Sequence, residues 1–111
     1  MFTTLKLSSS LPIGTVVSFN GVDWSPAQDA SQLVGVTGDA FELEGAWYAP
    51  ITFAGDCFAI ASRSIDPQGG GLAVENGGAY VGPLAGAGII APIAFDQPAP
   101  QAGDLVLIFL R

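Results

Sequence analysis

Apolar residues in this chain come in short runs, each closed by glycine, proline, asparagine or aspartate. TVVSF (15–19) is β-branched and aromatic and runs into Asn20-Gly21, and GLAVE (71–75) runs into Asn76-Gly77 in the same manner. Asn-Gly between such runs predicts a hairpin, because both residue types accept positive φ at little cost. LVGVT (33–37), WYAPITF (47–53), CFAIAS (57–62), GIIAPIAF (88–95) and DLVLIFL (104–110) supply further short strands. No dozen-residue window repeats apolar residues at helical spacing without a glycine or proline intervening. The best helical segment, SPAQDASQL (25–33), with Ser25 as cap and Pro26 in the first position, is good for one turn at most. The pattern predicts an all-β fold, a small glycine-rich β-barrel or sandwich, in a single domain over 12–111.

The two Asn-Gly segments invite comparison. Val16 to Trp24 aligns with Leu72 to Tyr80, and both stretches end on an aromatic three residues past the glycine. Ala54-Gly55-Asp56, leading into Cys57-Phe58-Ala59-Ile60, likewise matches Ala102-Gly103-Asp104, leading into Leu105-Val106-Leu107-Ile108. Two similar β units, 12–63 and 67–111, are therefore expected, the second shorter opposite 41–48. Neither unit is long enough to bury a face alone, so the two should pack together. Residues 1–11 stand outside both as an extended N-terminal arm. TTLKLSSS alternates weakly, and reads as an edge strand or as an arm that orders only against a neighbour.

Composition narrows the function. Half of the 111 residues are apolar and mean hydropathy is +0.49, yet the longest apolar run is Leu105 to Leu110, far short of the ~20 residues that span a bilayer. MFTTLKLSSSLP has no apolar stretch of the kind a secretory signal carries. So much apolar surface in so short a chain points to burial against other subunits or another protein. Three basic residues, Lys6, Arg63 and Arg111, face ten acidic ones for a net charge of −7. That balance argues against nucleic acid and against an anionic membrane as partners.

Little catalytic chemistry remains. The chain has no histidine, which removes the Ser-His-Asp and Cys-His arrangements and the usual zinc sites. Cys57 is single, has no intrachain disulfide partner, and reads as a buried inert thiol. Asp39, Glu42 and Glu44 lie close together, but without the spacing of a calcium loop, and read as a solvated face. Asp56 and Asp104 sit in turn signals. No catalytic residue, cofactor, metal or small-molecule substrate is expected, and a carboxylate-dependent hydrolase is the third choice. GAGIIA (86–91) satisfies a loose dinucleotide-loop pattern, but Pro83 before it and Pro92 after it forbid the strand and helix that pattern needs. It reads as a strand. Trp24 and Tyr80, just past the hairpin turns, are cross-strand packing residues. Trp47 and Tyr48 point to opposite faces of one strand, which makes one of them a candidate interface anchor.

The layout resembles the small decoration (cement) proteins of tailed-phage capsids. The likeness is carried by Pro12-x-Gly14-x-Val16-Val17, Asn20-Gly21-x-x-Trp24, Leu33-Val34-Gly35-Val36, Phe53-Ala54-Gly55-Asp56, a second glycine-rich pass and the closing apolar strand. It departs from that pattern in its short central segment and its very apolar 86–94 stretch. The resemblance implies a homotrimer on the outer capsid surface of a virion assembled in the host cytoplasm. It also implies an N-terminal arm, with Phe2, Leu5, Lys6 and Leu7, touching the major capsid protein, and no catalysis. Trp47 and Tyr48 complete the candidate interface. The alternative is a virion spike, fibre or tail component acting as a receptor- or glycan-binding module.

Overall fold

The computed structural model describes residues 2–94 and 96–111, the side chain of Phe2 excepted. Eleven strands and no helix occur among the described residues: β1 Phe2–Leu7, β2 Val16–Phe19, β3 Trp24–Pro26, β4 Val34–Thr37, β5 Phe41–Leu43, β6 Ala46–Thr52, β7 Gly55–Ile60, β8 Gly70–Glu75, β9 Gly78–Gly82, β10 Gly88–Ile90 and β11 Leu105–Leu110. The fold is all-β, as the alternating runs predict. Residues 25–33 contain no helix, because Ser25 and Pro26 are used in β3. GIIAPIAF is a strand only over β10; Pro92 follows soon after, and Phe95 lies outside the described residues.

The first sheet closes on itself. Strands run in the order β1-β3-β2-β4-β6, and β6 pairs back onto β1, giving a five-stranded barrel with β5 hung on β6. The first residues are thus a strand: β1 lies antiparallel along β6 from Phe2↔Thr52 to Leu7↔Trp47, and Leu7 also meets Trp24 of β3. Pro50 can sit inside β6 because β5 pairs with that strand only as far as Tyr48 and β4 only from Ile51. Its carbonyl accepts from Gly38 N–H at 2.8 Å, so the side lacking an N–H faces the gap between β5 and β4.

Alternation then divides the core. Val17 turns into the barrel with Leu7, Ala49 and Ile51. Its neighbour Val16 turns outward with Val34 and Val36, against Val74, Ile90, Val106 and Ile108 of the second sheet. β4 and the first half of β2 are therefore buried on both faces, which is why Val16-Val17 and Val34–Val36 carry no polar alternation. Gly35 sits between Val34 and Val36 on the barrel side, where a Cβ would overlap Ile51 and crowd Phe53.

The second sheet has the order β7-β11-β10-β8-β9. The two aligned segments form like arrangements: β3-β2-β4 in the barrel and β9-β8-β10 in the second sheet, each a hairpin with the next strand laid beside its first. The chain changes sheets between β6 and β7, however, so β7 of the first unit pairs with β11 of the second. Their turns differ too. Asn76 and Gly77 (φ 47° and 78°) make a two-residue turn between Glu75 and Gly78. Asn20 instead heads a four-residue loop, its side-chain oxygen accepting from Val22 and Asp23 N–H, both at 2.9 Å.

Two joints hold the sheets together. Gly77 N–H donates to Ala27 C=O (2.7 Å), Ala27 N–H to Val16 C=O (2.9 Å), and Val16 N–H to Gly77 C=O (2.8 Å), so the tip of the β8–β9 hairpin is sewn into the barrel wall. At the other joint Gly14 N–H donates to Thr37 C=O and Gly14 C=O accepts from Ile60 N–H, both at 2.8 Å. The buried Thr15 and Thr37 hydroxyls there both donate to Pro12 C=O, leaving no buried polar side chain unmatched among the described residues.

Candidate interaction surface

Strand alternation that buries Val106, Ile108 and Leu110 beneath the second sheet puts Leu105, Leu107 and Phe109 on its outer face. Register adds Ile60 beside Leu105 and Phe58 beside Leu107 on β7, and Ile89 beside Phe109 on β10. The result is an apolar patch across three neighbouring strands. It continues over the β7 edge into a groove of about 370 Å³ where Ile13, Pro50, Phe58 and Leu105 meet between the two sheets. Exposed large apolar side chains scattered singly are ordinary, but a contiguous set marks a site of contact.

A second exposed group lies on the barrel. β5 and β6 are joined by a two-residue turn at Glu44-Gly45 (φ 52° and 82°). Phe41 of β5 lies opposite Tyr48 of β6, their rings stacked with centroids 6.0 Å apart. Tyr48 is also the register partner of Lys6 on β1, so Lys6, Tyr48 and Phe41 form a row across three strands. Phe41 and Leu43 are exposed. The Glu44-Gly45 turn and β5 are not apparent in the sequence pattern, where this stretch reads as a solvated carboxylate face. Glutamate seldom takes positive φ, so the turn lacks the usual Asn or Asp signal.

The residues singled out from sequence fall into three groups. Leu7 is a barrel-core residue, 2% exposed, and Leu5 and Trp47 pack against that core. Closure of β1 onto β6 turns these three toward the barrel. Lys6 and Tyr48 remain on the outside. The side chain of Phe2 lies outside the described residues. Trp24 packs edge-on against Phe53 at 5.2 Å and near Phe19 at 5.6 Å, as its place beyond a hairpin suggests. Tyr80 carries the Arg63 guanidinium 3.9 Å from its ring centre while Arg63 pairs with Glu75.

The carboxylates are dispersed on turns and edges. Asp39, Glu42 and Glu44 are exposed, and no group of three candidate ligands converges for a metal among the described residues. Asp29 accepts from Ser31 hydroxyl and N–H, which hold its carboxyl below the ordinary value. The GAGIIA stretch delivers β10 into the second sheet, with Ile90 buried and Ile89 outside.

Cys57 is half-buried, and burial, then the neighbouring Asp56 carboxylate, push its thiol up to about 11. A raised thiol value means folding keeps the proton on, so this contribution to stability holds below pH 9 and is lost as pH rises through 11. Alkylation of the native chain at pH 8 is expected to run at least about tenfold slower than in urea. Thiolate is scarcer by about 100-fold and its higher basicity regains about tenfold. Equal rates in the two states would contradict a shielded thiol.

Comparison with known protein families, with curated proteins and with solved structures finds no match to this chain.

Proposed function

We propose that this chain is a structural virion protein, a decoration subunit that binds the outer surface of a tailed-phage head and stabilises the shell through apolar contacts. The observation that carries the reading is the exposed apolar surface of this fold, arranged in two patches on different sheets. Two separate patches suit a clamp that bridges neighbours better than a pocketed binding module. The acidic surface keeps such a subunit dispersed until it docks.

On this reading the Lys6, Phe41 and Tyr48 row meets the major capsid protein, with the exposed Leu43 at its border. Burying a few hundred Å² of apolar surface at ~25 cal/mol per Å² offsets the cost of association and leaves a modest gain per copy, repeated over the shell. The test is co-sedimentation of the purified chain with empty heads of the phage that encodes it. Saturation at a fixed ratio to the major capsid protein is expected, with at least about tenfold weaker binding for F41A/Y48A. Binding that is absent, or unchanged in that variant, overturns the assignment.

The stacked Phe41–Tyr48 pair also gives the spike or fibre reading a specific form, since paired rings can carry a sugar face. Retention of the chain on a glycan array, lost in Tyr48→Ala while head binding is absent, selects that reading instead.

A further inference from the structure

The outer face of the second sheet has a charge pattern as distinctive as its apolar character. Asp56, level with Phe109 on β7, is the only charged residue in β7, β10 and β11. β11 itself is bracketed by opposite charges, with Asp104 immediately before Leu105 and Arg111 immediately after Leu110. Of the three cations, Arg63 is held by Glu75 and Tyr80, and Lys6 lies on the barrel. Among the described residues Arg111 makes no ion pair within its own chain.

We infer that a second copy of this chain packs on this face, the two sheets stacked face to face with their β11 strands antiparallel about a two-fold axis. Electrostatics select both the place and the direction. Copies carrying −7 each repel through most of their surface, so they meet where carboxylates are scarcest. Antiparallel stacking brings the Arg111 end of each β11 to the Asp104 end of the other, although the Asp104 carboxylate itself accepts from Gln101 N–H in its turn, and moves the two Asp56 carboxylates to opposite ends. Parallel stacking would set Arg111 on Arg111 and Asp104 on Asp104. An isologous contact makes each favourable pair twice.

The area is sufficient for a pair of moderate affinity. Phe58 and Phe109 are 58% and 41% exposed, which is about 200 Å² of ring surface together. With Ile60, Ile89, Leu105 and Leu107 the face offers on the order of 500 Å² per copy, so about 1,000 Å² across the pair, the lower bound for a specific interface. The central rings fill the role of anchors and the oppositely charged strand ends lie at the rim. This inference gives the second-sheet patch to a second copy and leaves the Lys6, Phe41 and Tyr48 row for the shell, so a failure of head binding leaves it standing; it differs from the three-fold assembly that the resemblance implies.

Sedimentation equilibrium of the intact chain at about 100 μM, a concentration suited to a contact of this size, tests it. The expected mass is twice 11.3 kDa. F58D/F109D should sediment as a single chain with an unchanged β spectrum, since both side chains are exposed. Arg111→Glu should weaken association, because it makes both ends of the stacked β11 strands negative. A single-chain or three-chain mass for the native protein overturns the inference. So does full association in F58D/F109D.

Discussion

Gly77→Ala is expected to destabilise the whole chain by about 2–4 kcal/mol, from a left-handed backbone that costs an L-residue about 1–2 kcal/mol and overpacking of similar size. Gly77 holds φ 78° in the β8–β9 turn. A Cβ there would come within 2.9 Å of Pro26 Cβ and 3.1 Å of Thr15 Cγ2. Neither neighbour can move freely, because Gly77 is hydrogen-bonded on both sides to the barrel, through Ala27 and Val16. The substitution therefore strains a turn and a joint between sheets at once. Thermal unfolding should show a loss of about 8–30 °C at roughly 4–8 °C per kcal/mol. Gly86→Ala is the control: nothing lies within 4 Å of its Cβ position, so its effect should stay within about 0.5 kcal/mol. Similar melting of the two variants would contradict the joint.

Trp47→Ala is expected to cost about 2–4 kcal/mol, somewhat below the range for a fully buried tryptophan because the side chain is half-buried. Its neighbour Tyr48 has equal rank in the sequence but the opposite orientation. Trp47 packs on the barrel core beside Leu7, whereas Tyr48 stacks on the exposed Phe41. Tyr48→Ala should cost less than about 1.5 kcal/mol, the worth of a surface aromatic pair. Urea denaturation of the two variants separates core from contact surface. A larger loss for Tyr48→Ala would reverse the assignment of faces and undo the proposed head-binding row.

Much of this architecture is legible in the chain. Alternation and Asn-Gly punctuation locate β2, β4, β6, β7, β8 and β11. Closure is what the sequence does not carry. β1 alternates Leu5 and Leu7 against Lys6, which defines an inner and an outer face, but nothing local says that β6 will cover it. Pairing across so many residues depends on the whole sheet closing, not on any dipeptide. The same holds for β7, whose place in the second sheet follows from β11 needing a partner. Nor does the sequence orient Trp47-Tyr48, since both residues suit a core or a contact surface. The outer apolar face is visible only once the register of β7, β10 and β11 is known, because each strand alone reads as a buried run.

The central claim is that this chain stabilises a shell by covering its outside. It is tested most directly by heating purified heads with and without the saturating chain and recording the temperature at which they rupture. Heads carrying the chain are predicted to rupture several degrees higher, with the gain lost for F41A/Y48A. Equal rupture temperatures at demonstrated saturation would contradict the account.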